Sequence, residues 1–432
     1  MNRLLLLIIL IFPHALFSQS KSRKIIKAGK IFNSLTGQFI TGTSIIINGN
    51  KIESVKKEAE LTQREKSYPL IDLSKYAVLP GLIDAHTHLL SKEVAGQSSS
   101  LEMVKSLVMQ GDAYRALYGA SKAKAYLEAG ITAVQDLGNS GQFADIALQK
   151  AISEGLVNGP RMRCAGKGLA AEGGQVAGVT FPYQHLISGE YRIVNGKEDA
   201  VKAVRENVNQ GADVIKIYSN NIPNKTALSI EEMRAIVNEA HRYNIRVTAH
   251  APDNRSVYDA IISGVDGIEH GYEIADTTLA LMARKGIVLV PTDGDKYTFI
   301  QWGKIAYPDD KDVEKNVVEF RKAFSERVQR AIKKGVTIVA GSDDYHDLKM
   351  PFGERSKRTL IGYYESGMPI PEILKAATIN AARHLNLGNE IGVIKEGYLA
   401  DLIAVDTNID KNINLLLEVY FVMKDGQVYV NK

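Results

Sequence analysis

Apolar and polar positions follow a regular rhythm through the middle of the chain. From residue 76 to residue 388, short β-branched runs alternate with amphipathic segments of helical length. The predicted strands are Ala77–Ala85, Thr132–Leu137, Met162–Gly166, Asp213–Tyr218, Arg246–Ala249, Gly267–Glu269, Ile287–Pro291 and Thr337–Gly341. Strands that alternate with helices indicate a parallel sheet, and eight such units are the number that closes a barrel. The pattern predicts an α/β fold with a (β/α)8 TIM-like barrel over residues 76–388.

The two ends of the chain do not follow this rhythm. Residues 23–75 and 389–432 show short strands separated by turns, such as Ser44–Gly49 and Ala400–Val405. We expect both ends to pair into one small β-sandwich domain, built from pieces that are distant in sequence. The polar stretch Asp293–Asp312 follows the seventh predicted strand, and it is either a lid over the barrel mouth or a surface excursion.

Residues 1–20 have the pattern of a secretory signal peptide. Arg3 supplies a positive start, Leu4–Phe12 is an unbroken apolar run, and Ser18 and Ser20 are small residues at −3 and −1 of a cleavage site. The apolar run is too short to span a bilayer, and no cysteine lies near the cut to carry a lipid. This pattern predicts export to a periplasm or the extracellular space, with no stable membrane anchor.

Composition narrows the class of protein only slightly. The hydrophobic fraction of 45% and the charged fraction of 24% are ordinary for a soluble globular protein. The net charge is +4, and no run of Lys or Arg is long enough to follow a phosphate backbone, so a nucleic-acid partner is not indicated. The single cysteine, Cys164, can form no internal disulfide. A homo-oligomer stays open.

Titratable side chains gather where the predicted strands end. His86 and His88 end the first strand, His250 the fifth and His270 the sixth, and Asp343 follows the eighth. In a barrel those ends converge on one mouth, and residues two apart on a strand share a face. Each histidine alone would more often be structural, so the prediction rests on their joint placement. Imidazole and carboxylate together suit Zn²⁺, with other divalent ions as alternatives.

Lys216 lies among apolar neighbours near the end of the fourth predicted strand. An isolated buried ammonium is costly and tends to lose its proton. A neutral amine can add CO₂ to form a carbamate that bridges two cations. The alternatives are a lysine that extends to the strand end or one that pairs with a barrel carboxylate. Spacing alone does not decide between them.

Several motifs together carry a family resemblance. They are Pro80–His88, Val214–Lys216, His250, His270, Asp343 and Gly397–Asp401. On these residues the chain resembles the amidohydrolase superfamily, and within it the imidazolonepropionase-like branch. That branch includes metal-dependent Xaa-Pro dipeptidases and carboxypeptidases that release C-terminal Lys or Arg. The resemblance implies two divalent metal ions, with zinc the expected metal, and a carboxylated Lys216 that bridges them.

Two loops depart from those peptidases. They usually have Gly-Gly-His after the third strand, where this chain has Gly173–Gln175, and a Gly-Gly turn after the fourth, where it has Ser219–Lys225. Both loops are expected to face the substrate. The metal site therefore carries over from the family better than the substrate does.

The expected activity is metal-dependent hydrolysis of an amide bond in a dipeptide or an N-acyl amino acid. The expected ligands are His86, His88 and Asp343 for one ion, His250 and His270 for the other, and carboxylated Lys216 between them. A metal-bridging hydroxide would attack, and Asp343 would take its proton and return it to the leaving nitrogen. A net charge of +1 at such a site would favour a substrate with a free carboxylate.

Candidate substrate contacts and rival functions follow from the same residues. Tyr218 shares a strand face with Lys216, and it either donates to the oxyanion or fills the barrel. Gln175 and His346 are further candidates. One rival is a mononuclear deaminase or cyclic-amide (imidazolonepropionase-like) hydrolase, with Asp253 after His250 as a faint echo of a proton-transfer motif. Lactone or ester hydrolysis and a non-catalytic solute-binding protein are the others.

Overall fold

The computed structural model describes residues 23–222 and 224–432, so the predicted signal peptide lies outside the described residues. The strands are β1 Arg23–Asn33, β2 Gln38–Thr41, β3 Thr43–Asn48, β4 Lys51–Lys57, β5 Leu70–Pro80, β6 Leu82–Thr87, β7 Ile131–Asp136, β8 Arg161–Cys164, β9 Gly168–Ala170, β10 Tyr191–Ile193, β11 Val214–Tyr218, β12 Asn220–Asn221, β13 Thr226–Ala227, β14 Arg246–Ala251, β15 Gly267–His270, β16 Val288–Val290, β17 Leu402–Asp406, β18 Phe421–Lys424 and β19 Gln427–Asn431. The α-helices are α1 Gln63–Lys66, α2 Ser99–Lys105, α3 Gly111–Glu128, α4 Ala144–Ser153, α5 Lys197–Gln210, α6 Ile230–Arg242, α7 Asn254–Ser263, α8 Asp276–Lys285, α9 Lys296–Ala306, α10 Val313–Lys333, α11 Glu354–Glu365, α12 Ile370–Lys375 and α13 Ala381–His384.

The central strands are parallel and form two hydrogen-bonded groups. One group has the order β10-β9-β11-β14-β15-β16, and the other has the order β6-β7-β8. Further backbone hydrogen bonds join β8 to the residue before β11, and β6 to the segment that contains Ile338, which bridges to β16. The N–H of Asp213 donates to the carbonyl of Cys164 (2.8 Å), and the N–H of Ala85 donates to the carbonyl of Ala340 (2.8 Å). The central part is therefore an α/β arrangement in which parallel strands alternate with helices.

Helix α6 illustrates why these segments are helical. Ser229 accepts from the backbone N–H of Glu232 (3.2 Å), and the Glu232 carboxylate accepts from the N–H of Ser229 (2.8 Å). This reciprocal cap satisfies backbone donors that the first turn leaves free. Met233, Ile236 and Ala240 then recur at helical spacing and are all fully buried against the central core.

Two of the predicted central strands differ from the structure. Thr337–Gly341 is not a regular strand, because only Ile338 bridges to β16 and the N–H of Ala340 donates to the carbonyl of Ala376 (3.0 Å). The predicted strand Ala77–Ala85 is divided at Gly81, so that β5 and β6 belong to different sheets. A side chain at Gly81 would clash with Thr132, which explains the glycine at this close approach.

The two chain ends share one mixed sheet of eight strands. Its order is β19-β18-β17-β5-β1-β3-β4, with β2 paired to β1, and β17 runs antiparallel to β5. Leu79 and Ile403 point to the central core, whereas Val78 and Leu402 point to a separate apolar cluster on the other face. The central core covers one face of this sheet, so the predicted sandwich of two sheets is not confirmed. None of the helices in the described ranges is long and apolar enough to cross a bilayer.

Candidate metal centre

Three side chains bring their ligand atoms together where the central strands end. The ligand atoms of His86, His270 and Asp343 all lie within 4.8 Å of one another. Oδ1 of Asp343 is 3.4 Å from Nε2 of His86 and 3.1 Å from Nε2 of His88. The ring of His250 lies beside that of His270, with 4.7 Å between the centroids. The structure thus brings the four predicted histidines and Asp343 into one cluster.

The backbone bends unusually at two of these positions. His270 has a φ of 72° and Asp343 a φ of 53°, both in the left-handed region that non-glycine residues seldom adopt. Each such residue costs on the order of 1–3 kcal/mol and persists where its surroundings hold it. The N–H of Asp343 donates to the carbonyl of His86 (2.8 Å), which ties the two side chains to one geometry.

The Nδ1 atoms of three histidines are already engaged on the side away from the cluster. Nδ1 of His86 is 2.6 Å from Glu269 Oε2, Nδ1 of His88 is 2.8 Å from the Gly138 carbonyl, and Nδ1 of His270 is 2.9 Å from Thr292 Oγ1. Metal-bound histidines are characteristically held in this way through the second ring nitrogen. Each Nε2 is left to face the cluster.

The fourth histidine leaves a buried polar atom unsatisfied. Nε2 of His250 is buried and has no hydrogen-bond partner within residues 23–222 and 224–432. Buried polar atoms are normally paired, so such an orphan calls for a ligand or an ion. Burial lowers the pKa of His250 and of His270, and neighbouring cationic groups add to the effect. Neutral imidazoles beside a carboxylate fit a divalent cation.

Lys216 is fully buried in β11, where it is paired in register with Thr248 of β14. Burial lowers the pKa of its amine, while the carboxylates of Glu269 and Asp343 oppose that shift. Lys216 lines the same cavity as the histidine cluster. The lysine is therefore an inward-facing side chain and not one that extends to solvent.

A cavity of about 470 Å³ contains the cluster. It is lined by all six predicted metal ligands, namely His86, His88, Lys216, His250, His270 and Asp343, and also by the predicted substrate contacts Tyr218 and Gln175. The Tyr218 ring lies 5.3 Å from that of His250. Gln175 donates to the carbonyl of Asn220 (2.7 Å), so it braces the loop after β11 from within the cavity.

His346 lies apart from the other candidates. It lines a neighbouring cavity of about 510 Å³, in contact with the ring of Trp302. Burial lowers its pKa to about 4, with Arg355 adding to the effect. Asp343 lines both cavities, so the two spaces meet at the proposed proton carrier.

Two buried charged residues behind the cluster were not predicted from the sequence. Glu269 is fully buried and contacts both His86 and Thr248. Arg327 is also fully buried, pairs with both carboxylate oxygens of Asp293 (2.5 Å each) and donates to the carbonyl of His270. A carboxylate inside the apolar run before His270 was a visible signal for Glu269. Arg327 had none, because helical spacing alone does not distinguish a buried arginine.

Comparison with known proteins identifies the class. A family model described as the amidohydrolase family matches residues 77–429, which is most of the chain. The chain belongs to the amidohydrolase family, and it is accordingly a hydrolase that acts on carbon–nitrogen amide bonds.

Individual relatives support the same class. A crystal structure of a Xaa-Pro dipeptidase with methionine bound in its active site has a TM-score of 0.81 and 29% identity, covering 95% of this chain and 100% of that one. Ochratoxinase from Aspergillus niger is 28% identical over 91% of this chain and 84% of its own length. Imidazolonepropionase from Symbiobacterium thermophilum is 23% identical over 85% of this chain and 84% of its own. The predicted resemblance to the imidazolonepropionase-like branch is confirmed.

The predicted localisation is corrected. Its evidence was the stretch at residues 1–20, which lies outside the described residues. Relatives such as ochratoxinase and imidazolonepropionase give no support for export of this chain. The predicted assignment to a periplasm or the extracellular space was therefore wrong.

Proposed function

We propose that this amidohydrolase cleaves the amide bond of a small substrate, a dipeptide or an N-acyl amino acid, with the help of two divalent metal ions. The observation that carries the proposal is the convergence of Nε2 atoms on Asp343, with the Nδ1 atoms of His86, His88 and His270 held from behind. A set of groups arranged in this way is suited to bind cations and poorly suited to pack as a core.

The proposal includes a (β/α)8 barrel as the scaffold. The hydrogen bonds of Asp213 with Cys164 and of Ala85 with Ala340 support closure on both sides of the parallel strands. We further propose a division into a barrel at residues 76–388 and a terminal β domain from residues 23–75 and 389–432. In the structure β5 crosses the first of these boundaries, from Leu70 to Pro80.

The donor set suggests which residues would hold the metals. His86, His88 and Asp343 would hold one ion, His250 and His270 the other, and a carboxylated Lys216 would contribute to both. Imidazole nitrogen with carboxylate oxygen suits Zn²⁺. When bound, the cations supply polarisation of the scissile carbonyl and a lowered pKa for water.

The protein itself supplies the proton transfer and the orientation. The Asp343 carboxylate accepts the proton of the attacking water and returns it to the leaving nitrogen. Tyr218 faces the cavity beside His250, where its hydroxyl can donate to the carbonyl oxygen as negative charge develops. Most side chains that line the cavity are buried, and the lower local dielectric strengthens both interactions.

The rival deaminase has less support. Its proton carrier would be Asp253, but one carboxylate oxygen of Asp253 accepts from the N–H groups of Arg255 and Ser256 and the other from Asn220 (2.5 Å). Asp253 therefore caps α7 and is not free to carry protons.

Turnover of a substrate library tests the proposal. The metal-loaded enzyme is screened against dipeptides and N-acyl amino acids, with Asp343→Asn as the inactive control. We expect hydrolysis that a chelator abolishes and added metal restores. Hydrolysis confined to lactones or cyclic amides, or deamination without amide cleavage, would contradict the proposed substrate class.

A further inference from the structure

Several aromatic side chains line the cavity beside the metal centre. It has a volume of about 510 Å³, within the range of small-molecule sites. Its walls include Phe299 and Trp302 from α9, Phe320 and Phe324 from α10, and Tyr272 after β15. The long stretch after β16 thus forms one wall of a second compartment that opens onto Asp343.

The aromatic rings in this wall pack against one another but are not fully covered. Phe320 and Phe324 meet edge to face with 4.7 Å between centroids, and Phe299 stacks on Phe324 at 5.9 Å. Phe320 is still 55% exposed and Tyr272 is 38% exposed. An exposed aromatic edge at the mouth of an apolar cavity is a favourable contact for another ring.

One cation lines the same cavity. Nε and Nη1 of Arg355 are buried, and neither atom has a hydrogen-bond partner in the described part of the chain. The nearest carboxylate is that of Asp344, 3.9 Å from Nη1, and Asp344 is shared with Lys122 (3.4 Å) and accepts from the hydroxyl of Tyr126 (2.6 Å). The guanidinium therefore has donor capacity and positive charge that its surroundings do not satisfy.

The acidic groups around the cavity do not cancel this charge. Asp293 is paired with the fully buried Arg327, and Glu273 is exposed to solvent. Asp343 belongs to the histidine cluster. Arg355 is thus the cationic side chain that can bind an anion among the described residues that line this cavity.

We propose that this second cavity binds an aromatic amino-acid residue of the substrate, with the ring against Phe299, Phe320 and Phe324 and the free carboxylate on Arg355. The proposal rests on the proposed amide hydrolysis and specifies its substrate. The preferred substrates are then amides of an aromatic amino acid that keeps its carboxylate, and the shared Asp343 places their amide at the metal centre.

Binding of 3-phenylpropanoate to the full-length, metal-loaded protein tests the site separately from catalysis. This probe has the ring and the carboxylate but no amide to cleave. Calorimetry gives the affinity, and the fluorescence of Trp302, the sole tryptophan, reports occupancy of this cavity. We expect one site per chain with a change in Trp302 emission, and at least about 10-fold weaker binding of propanoate, which lacks the ring.

Three variants locate the interaction. Arg355→Gln should weaken 3-phenylpropanoate by about 10-fold or more, because a charge-assisted hydrogen bond is lost, yet leave neutral 3-phenylpropanamide almost unchanged. Phe320→Ala should weaken both probes by about threefold or more, and the exposed position of Phe320 means that the fold should persist. Phe181→Ala, at a phenylalanine that is 90% exposed elsewhere, should change neither.

The outcomes separate this inference from the proposed function. Failure to bind 3-phenylpropanoate, or equal affinity in wild type, Arg355→Gln and Phe320→Ala, would overturn the aromatic site even if other amides are hydrolysed. Binding with the expected losses, but no hydrolysis of any amide, would leave the site standing and refute the proposed function. When both hold, kcat/KM for N-acetyl-phenylalanine should exceed that for N-acetyl-alanine, and Phe320→Ala should reduce the ratio.

Discussion

Nδ1 of His86 lies 2.6 Å from the carboxylate of Glu269, and both side chains are fully buried. An ionised carboxylate can only accept a hydrogen bond, so this contact fixes the proton of His86 on Nδ1. Nε2 then keeps its lone pair toward Asp343. Glu269 is in this respect a positioning residue, since it acts on the metal centre through His86.

We predict that Glu269→Gln weakens metal binding without abolishing folding. The amide can still accept from Nδ1 but lacks the negative charge that raises the basicity of the ring, and losses of such partners typically cost about 10–100-fold in metal affinity. Metal affinity is measured by competition with a chelator, and folding by circular dichroism. Glu239→Gln, on the surface-facing ion pairs of α6, is the matched control. Equal affinity in the two variants would exclude the positioning role.

Asp343→Asn should lose activity far more than stability. Asparagine has similar volume and tolerates the left-handed backbone that position 343 adopts, so the fold should persist. The amide cannot carry a proton, and loss of general acid–base catalysis typically costs about 10²–10⁴-fold. Turnover and melting temperature are compared with Asp347→Asn, a nearby carboxylate outside the cluster. Near-normal turnover in Asp343→Asn would refute the assigned role.

Lys216 distinguishes a carbamate from simple packing. Lys216→Ala should lose most activity, and added acetate or propionate should restore part of it by supplying a carboxylate in the vacated space. Lys216→Met keeps the buried volume and still forbids the carbamate, so it should remain inactive. The measurements are turnover and metal content of both variants, with and without acid. Full activity in Lys216→Met would exclude carboxylation.

Arg327→Met should destabilise the protein through Asp293. The ion pair is fully buried, and removal of one partner leaves the other charge uncompensated, at a typical cost of about 3–5 kcal/mol. The loss should also free the carbonyl of His270, which Arg327 holds. Urea unfolding gives the free energy, with Arg330→Met, a half-exposed partner of Asp276, as the control. Equal unfolding free energies would contradict a structural role for the buried pair.

The sequence predicted those parts of the fold and site that depend on local pattern. His86 lies near the end of β6 and His88 directly follows that strand, and Lys216 lies in the buried strand β11, so spacing and hydropathy were sufficient. The prediction of a regular strand at Thr337–Gly341 was wrong in detail, because the hydrogen bond from Ala340 to Ala376 depends on packing between distant segments.

The second compartment could not be predicted from the sequence, because it also depends on packing between distant segments. The stretch around Trp302 could be a lid or a surface excursion by sequence, and only its packing with α10 creates an aromatic wall. Arg355 lies more than 50 residues away in α11, and no local pattern joins it to that wall. Such sites arise from tertiary contacts between segments, and the hydrophobic pattern of each segment alone gives no sign of the site.

The metal content of the protein tests the central claim most directly. The four histidines, Asp343 and Lys216 offer six ligands, whereas a single tetrahedral ion takes about four. Elemental analysis of protein purified without chelators should approach two divalent ions per chain at saturation, with zinc the expected metal. A saturating ratio of one ion per chain would contradict the two-metal centre and favour a mononuclear hydrolase or deaminase.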